Sequence, residues 1–246
     1  MDTNAWLPSD GRFFNPDPVL RAVPLTGGAQ CIVVDDALMQ PERLAAWAAT
    51  QRFEPPQGYP YPGQVAAVPA ALTQRVADFF ALHVRKALGA RRTLDLTVRL
   101  SMVTTPPHRL EPRQWQCHRD RVADDPAVVL FAASVLYLFR DRVLGGTSFY
   151  VPRRSALETD RMLADSQLLD AHEFNARHGV QPGYMTGSNA WFERVAQVPA
   201  AWNRMVFYDG GLFHSADVDD PGLLSADQTR GRLTLNSFFT CRRQAA

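Results

Sequence analysis

From Leu94 to the end, the chain repeats one pattern: short runs rich in Val, Leu, Phe and Tyr, punctuated by Gly and Pro. The runs are Leu94 to Thr104, Trp115 to His118, Val128 to Phe139, Thr147 to Val151, Met205 to Tyr208, Leu212 to Val218 and Arg232 to Cys241. Several short strands with such punctuation predict a sandwich or barrel. The last run carries the clearest alternation. Arg232, Thr234, Asn236 and Phe238 fall on one face, while Leu233, Leu235 and Phe239 fall on the other, with Ser237 the polar exception there. An apolar layer therefore backs a face bearing a guanidinium, a hydroxyl and an amide. An arginine aimed into a barrel needs an anionic partner, because an unpaired buried charge is costly. A carboxylate of a bound acid or an internal aspartate would serve.

The N-terminal part reads differently. Residues 1 to about 30 hold Pro8, Pro16, Pro18, Pro24, Gly27 and Gly28, which favour irregular or edge structure. A short strand at Cys31 to Val34 follows, then a helix capped by Asp36, with Pro41 in its first turn, reaching about Phe53. A second helix, about Pro69 to Leu88, sets Leu72, Val76, Phe79, Phe80, His83 and Val84 along one stripe, the spacing of a helix laid on a sheet. Between strands, residues 152 to 203 read as a mainly helical insertion opened by a Ser155-Ala-Leu-Glu158 capping box. Its His172 and His178 sit in polar surroundings that predict exposure. The 246 residues are read as one domain: helical support over about 36–90 and a β core over about 94–241, interrupted by the insertion.

Composition limits the partners. Twenty-six basic against twenty-five acidic residues give a net charge of +1, which argues against nonspecific binding to nucleic acid or membrane surfaces. Cys31, Cys117 and Cys241 are odd in number and lack metal-type spacing, as expected of reduced thiols in a cytoplasmic protein. Met1 to Phe14 lacks the pattern of a secretory signal, and the longest apolar stretch, Ala127 to Phe139, is too short to cross a bilayer.

The candidate chemistry lies in Gln116-Cys-His-Arg-Asp120 and, far away in sequence, His214. On a strand, residues i and i+2 project to one side, so His118 and Asp120 can reach one metal while Cys117 and Arg119 point away. His214 follows an Asp209-Gly-Gly turn that returns the chain into another strand. Two imidazoles and one carboxylate form the facial triad of non-haem Fe(II) oxygenases, with open positions for a bidentate cosubstrate and dioxygen. Arg109, Arg113, Arg119 and Arg121 cluster around this pair and could draw an anionic substrate; scattered solvated counter-ions fit them equally. His-Arg-Asp also occurs in the protein-kinase catalytic loop, but Asp125 stands where that loop needs Asn, and neither a Gly-rich phosphate loop nor Asp-Phe-Gly is present.

In order, His118-x-Asp120, Tyr137-Leu-Phe with Gly145-Gly-Thr, His214 and Arg232 resemble the motifs of the Fe(II)/2-oxoglutarate-dependent oxygenases, in particular the prolyl 4-hydroxylase-like branch, over roughly residues 95 to 240. The resemblance implies a double-stranded β-helix core, a jelly roll of cupin type. It implies Fe(II) on His118, Asp120 and His214, and 2-oxoglutarate gripped at its far carboxylate by Arg232 and Tyr137 with Thr234 or Asn236 assisting. It further implies hydroxylation of an unactivated C–H bond of a small-molecule or peptidyl substrate, with release of succinate and carbon dioxide. Two departures stand out: the gap from His214 to Arg232 is long, and Arg230 competes for the grip. Trp115, three residues before His118, is read as a core aromatic. The insertion, with Tyr184, Trp191, Phe192 and Trp202, and the Pro55 to Gly63 loop, with Tyr59 and Tyr61, are candidate walls of the substrate mouth. The alternatives are a cupin-like module that binds a metal or small acid without turnover, and a metal-dependent hydrolase.

Overall fold

A computed structural model describes residues 6–243. Ten strands run in chain order as β1 (Leu20–Pro24), β2 (Gln30–Val34), β3 (Gly63–Ala67), β4 (Ala90–Val103), β5 (Val129–Tyr137), β6 (Thr147–Pro152), β7 (Phe192–Val198), β8 (Met205–Asp209), β9 (Phe213–Ala216) and β10 (Arg232–Arg243). The larger sheet has the order β1-β2-β8-β5-β10-β4-β3, and the smaller β7-β6-β9. A bridge from His118 to His214 adds the His118 segment beyond β9. From β4 onward, successive segments alternate between the sheets, apart from the β6–β7 hairpin within the smaller one. That winding of antiparallel strands is a jelly roll, the double-stranded β-helix.

Three apolar layers follow from strand alternation. Inward residues of both sheets, among them Val33, Ala133, Tyr137, Phe149, Val206 and Tyr208, fill the space between them. Outward residues of the large sheet, including Leu100, Leu136, Phe207, Leu235 and Phe239, meet α1 (Pro41–Ala48), α2 (Ala70–Phe79) and the π turn Phe80–Val84. Phe80 shows how tightly these helices dock, since its ring stacks on Phe239 at 3.9 Å between centroids and is fully buried. Burial of such a ring contributes roughly 1.5–3 kcal/mol. The outer face of the small sheet is covered by α3 (Ala156–Leu168) and α4 (Ala171–His178), where Met162 and Phe174 pack with Trp115, Tyr150, Phe192 and Phe213. Ser155 and Glu158 close the expected capping box at the start of α3.

Several expectations need correction. Asp36 does not cap α1; it adopts φ +50°, Gln40 is the N-cap, and Pro41 takes the first helical position, where its missing N–H costs nothing. α1 ends at Ala48, short of Phe53. The second helix changes to π geometry at Phe80. Trp115 to His118 is no regular strand, because only His118 pairs, and a short helical turn precedes it. Two aromatics read as candidate mouth walls pack into the outer layer instead, Phe192 fully buried and Trp191 half-buried in the same cluster. His178 is likewise sequestered, its imidazole 8% exposed, bonded to Asp165 at 2.8 Å and packed on Phe174 and Trp191. His172 is exposed, as expected. Among the described residues, no helix is long and apolar enough to cross a membrane.

Candidate metal centre and cavity

Backbone bonds place the three candidate ligands. His118 and His214 exchange both of their main-chain N–H···O bonds, each 2.9 Å long, so their rings lie side by side with centroids 4.5 Å apart. Asp120 donates its N–H to the Gly210 carbonyl at 2.8 Å, and Gly210 donates in turn to Phe131 on β5. A Cβ at Gly210 would sit 3.0 Å from Asp120 Oδ2 and 3.1 Å from the Phe131 oxygen, so the glycine lets the carboxylate lie against the turn. That turn is braced from outside: Asp209 accepts from the Gly211 N–H and from Arg243.

The donor atoms of His118, Asp120 and His214 all lie within 4.8 Å of one another. The two carboxylate oxygens divide between the imidazoles, Oδ1 3.6 Å from His118 Nε2 and Oδ2 3.5 Å from His214 Nε2. Adjacent ligands around a metal at about 2.1 Å stand roughly 3 Å apart, so small side-chain rotations bring this set into register. His214 Nδ1 is 2.9 Å from the Leu212 carbonyl, which can only accept. In the neutral ring the proton is therefore on Nδ1 and the Nε2 lone pair faces the centre, as a metal-binding histidine requires. Burial opposes ionisation of Asp120, yet the charge of His214 and the closeness of both imidazoles outweigh it and hold the carboxyl well below its usual range. Burial also works against protonation of His214, but Asp120 overrides it and raises the imidazole. The donor set fits a divalent metal with half of its coordination sphere left to other ligands.

Beside this triad a cavity of about 480 Å³ opens between the sheets. Arg232 lies on its wall, 4% exposed, with Nε donating to the Leu144 and Gly145 carbonyls and Nη2 to that of Gly146. No bond among the described residues engages Nη1. The Gly145-Gly146 pair has a physical reason: a Cβ on either would fall within 2.0 Å of a backbone oxygen, of Asp217 and Val198 respectively. Two glycines let three strands meet and turn their carbonyls to the guanidinium. Arg230 is exposed and off the cavity wall.

Of the other anticipated residues, Asn236 lines the cavity with its Oδ1 buried and unpartnered. Tyr137 and Thr234 are buried behind the wall. The Tyr137 hydroxyl bonds Thr147 Oγ1 at 2.8 Å, and Thr147 itself faces the cavity. Burial pushes that phenol up to about 12, so it stays a neutral donor. Thr234 donates to the Ser101 carbonyl. Ser134 Oγ, both amide atoms of Gln116 and Arg99 Nε are further buried, unpartnered atoms of cavity-lining residues. Such a concentration of unsatisfied groups around one space marks it as a site for a polar ligand. Sequence reading missed Arg99, although its signal was present: Thr97, Arg99 and Ser101 alternate with Val98, Leu100 and Met102 just as the polar face of β10 alternates with its apolar one. Arg113, Arg119 and Arg121 reach the cavity; Arg109 does not line it.

A model described as "Family of unknown function (DUF6445)" matches residues 16–239. The chain belongs to that family. No curated protein matches it. Among solved structures, the DUF6445 chain is similar to HygX from Streptomyces hygroscopicus with nickel and 2-oxoglutarate bound, at TM-score 0.48 and 11% identity over 86% of this chain and 82% of that one. It is similar also to SnoN, a non-haem alpha-ketoglutarate-dependent epimerase from nogalamycin biosynthesis, at TM-score 0.42 and 17% identity over 88% and 82% of the two chains. An N-substituted L-amino acid dioxygenase from Burkholderia ambifaria AMMD gives TM-score 0.39 and 12% identity over 93% and 99%.

Proposed function

We propose that this DUF6445 protein is an Fe(II)- and 2-oxoglutarate-dependent oxygenase of the kind its motif order resembles, the prolyl 4-hydroxylase-like branch, acting on a C–H bond of a small-molecule or peptidyl substrate. The observation that carries the reading is the convergence of His118, Asp120 and His214 on the wall of the cavity that Arg232 also lines. The triad supplies three donors on one side of a metal, leaving room for a chelating cosubstrate. Arg232, already fixed by three carbonyls, has Nη1 to spare for the far carboxylate, and a planar guanidinium suits that task. Asn236 on β10 and Thr147 on β6 offer further polar atoms to the same cavity. When bound, the metal and 2-oxoglutarate would supply the oxidising chemistry, with succinate and carbon dioxide as coproducts. The chain's own residues orient these groups: Leu212 fixes the His214 tautomer, Gly210 seats the Asp120 carboxylate, and the apolar walls formed by Phe131, Val135 and Phe238 limit water.

Anaerobic addition of Fe(II) and 2-oxoglutarate to the purified protein tests the reading. A visible charge-transfer band is expected, as neither a metal hydrolase nor a metal-binding module without a 2-oxoacid site would give one. Metal bound with normal stoichiometry but no band on adding 2-oxoglutarate would favour one of those rivals.

A further inference from the structure

Besides Arg232, the cavity holds a half-buried cation that the oxygenase reading leaves unused. Arg99 projects from β4 into it, directly opposite Asn236 on β10. Its guanidinium lies 4.4 Å from the ring centre of Tyr59 and 4.6 Å from that of Phe238, with Tyr61 at 5.9 Å. Arg99 makes no ion pair or hydrogen bond among the described residues, and its Nε is buried. The charges around it are one-sided. Arg99, Arg113, Arg119, Arg121 and Arg232 line the cavity against Asp95 and Asp120 only. Arg113 and Arg119 have acidic partners in Glu111 and Asp160, and Arg232 has its carbonyls. Asp120 is occupied by the two histidines. Arg121, which lies over the Phe131 ring, also lacks an acidic partner among the described residues but is exposed, so Arg99 is the half-buried cation left without an anion.

We propose that Arg99 anchors a carboxylate of the primary substrate, which is accordingly a small organic acid with an apolar body. The inference rests on the oxygenase reading in treating Arg232 as the cosubstrate's partner. Arg99 and Arg232 are offset by four residues along the β4–β10 ladder, roughly 13 Å of strand, so the two arginines can serve different carboxylates. Aromatic rings beside the guanidinium orient its plane and shield it from water, which strengthens its attraction for a planar oxyanion in the bidentate manner. Phe131, Val135 and Phe238 supply the apolar surface for the rest of the molecule, while the unpartnered Asn236 Oδ1 can accept one hydrogen bond from it. Depth fits as well: on the inner face of β4, Ser101 is buried, Arg99 half-buried, and Thr97 and Asp95 exposed, so Arg99 stands between floor and mouth.

Matched acid and amide probes test this. Binding of 3-phenylpropanoate and hexanoate, each against its primary amide, is measured by ligand-observed NMR on Ni(II)-loaded protein with and without 2-oxoglutarate, whose own binding is titrated separately. Wild type is expected to prefer each acid by at least about tenfold, R99Q to lose the preference while still binding 2-oxoglutarate, and R99K to keep a weaker one. Thermal melting confirms that each variant is folded; if R99Q is not, the comparison of wild type with R99K decides. Equal affinity for acid and amide in wild type, or a preference that survives in R99Q or is undiminished in R99K, overturns the proposal. So does loss of 2-oxoglutarate binding in R99Q, which would move Arg99 to the cosubstrate site. Failure of wild type to bind 2-oxoglutarate at all would sink the oxygenase reading instead, and the acid preference is then still read from the samples without it.

Discussion

The two principal groups of the cavity are built on opposite plans. At the metal centre His118 is open to solvent, its side chain 55% exposed, while Asp120 and His214 are largely covered, and the ligand geometry comes from main-chain bonds that no side-chain truncation removes. Elsewhere in the cavity lining Arg232 is buried, and its guanidinium itself holds the backbone of Leu144 to Gly146 together. Ligand geometry at the first is separable from stability; at the second, binding and folding share one side chain. Mutations should respond accordingly.

Arg232→Ala is expected to have the largest effect. It removes the donor from the buried Leu144 and Gly145 carbonyls, each of which costs about 1–3 kcal/mol when left unsatisfied, while Gly146 keeps the Asp217 N–H, so the folded state should lose on the order of 3 kcal/mol as well as 2-oxoglutarate binding. Denaturant unfolding beside a 2-oxoglutarate titration measures both. A variant that lost only the ligand would break the contrast. His118→Ala comes next and should separate the two quantities: metal affinity falls by more than the roughly 10–100-fold typical of losing a mere supporting group. Stability without metal should stay within about 0.5 kcal/mol, as for other exposed positions. Isothermal titration with Ni(II) and a melt in EDTA check the pair.

The same contrast explains what was legible in the sequence. Apolar, β-rich runs identified β4, β5 and β10 as strands, and alternation along β10 showed one face on the helices and one in the barrel. β3 and β7 escaped notice, and β1 lay in a segment read only as irregular or edge structure. They are edge strands, short or half-exposed, and their Pro24, Gly63 and Glu193-Arg194 blur the period of two. His-x-Asp was visible as a motif, but its local structure was not, since one bridge and a 3-10 turn carry no periodic signal. His178 was misjudged because its burial comes from Trp191 and Phe174, a tertiary contact invisible in its polar neighbours. Conversely, the Gly145-Gly146 pair matched a motif whose cause, two approaches of backbone to backbone, appears only in three dimensions.

A smaller effect sharpens the idea that the cavity wall is polar for a ligand's sake. Ser134 Oγ is buried without a partner on the cavity wall. Ser134→Ala should therefore stabilise the ligand-free protein, by up to about 1 kcal/mol, since an unsatisfied buried hydroxyl is removed at little change in volume. Chemical denaturation without ligand reads the gain. A loss of stability of similar size would mean that the hydroxyl already has a partner and that the wall is not waiting for one.

The smallest effect is a pH dependence confined to the metal-free centre. Asp120 is held below its usual range, so its stabilising contribution is complete above about pH 4, the ordinary aspartate value, and is lost as pH falls further. His214 is raised, so its contribution is complete below about pH 6.5 and is lost as pH rises through the shifted value. The pair therefore favours folding most between those limits. Denaturation midpoints in EDTA should show this maximum, and His214→Asn should flatten its alkaline side. With metal bound the alkaline loss should disappear, because the metal then takes the place of the proton on His214 Nε2 and affinity instead falls as acid restores that proton. An alkaline limb unchanged by either the substitution or the metal would show that the coupling between Asp120 and His214 contributes nothing to the fold.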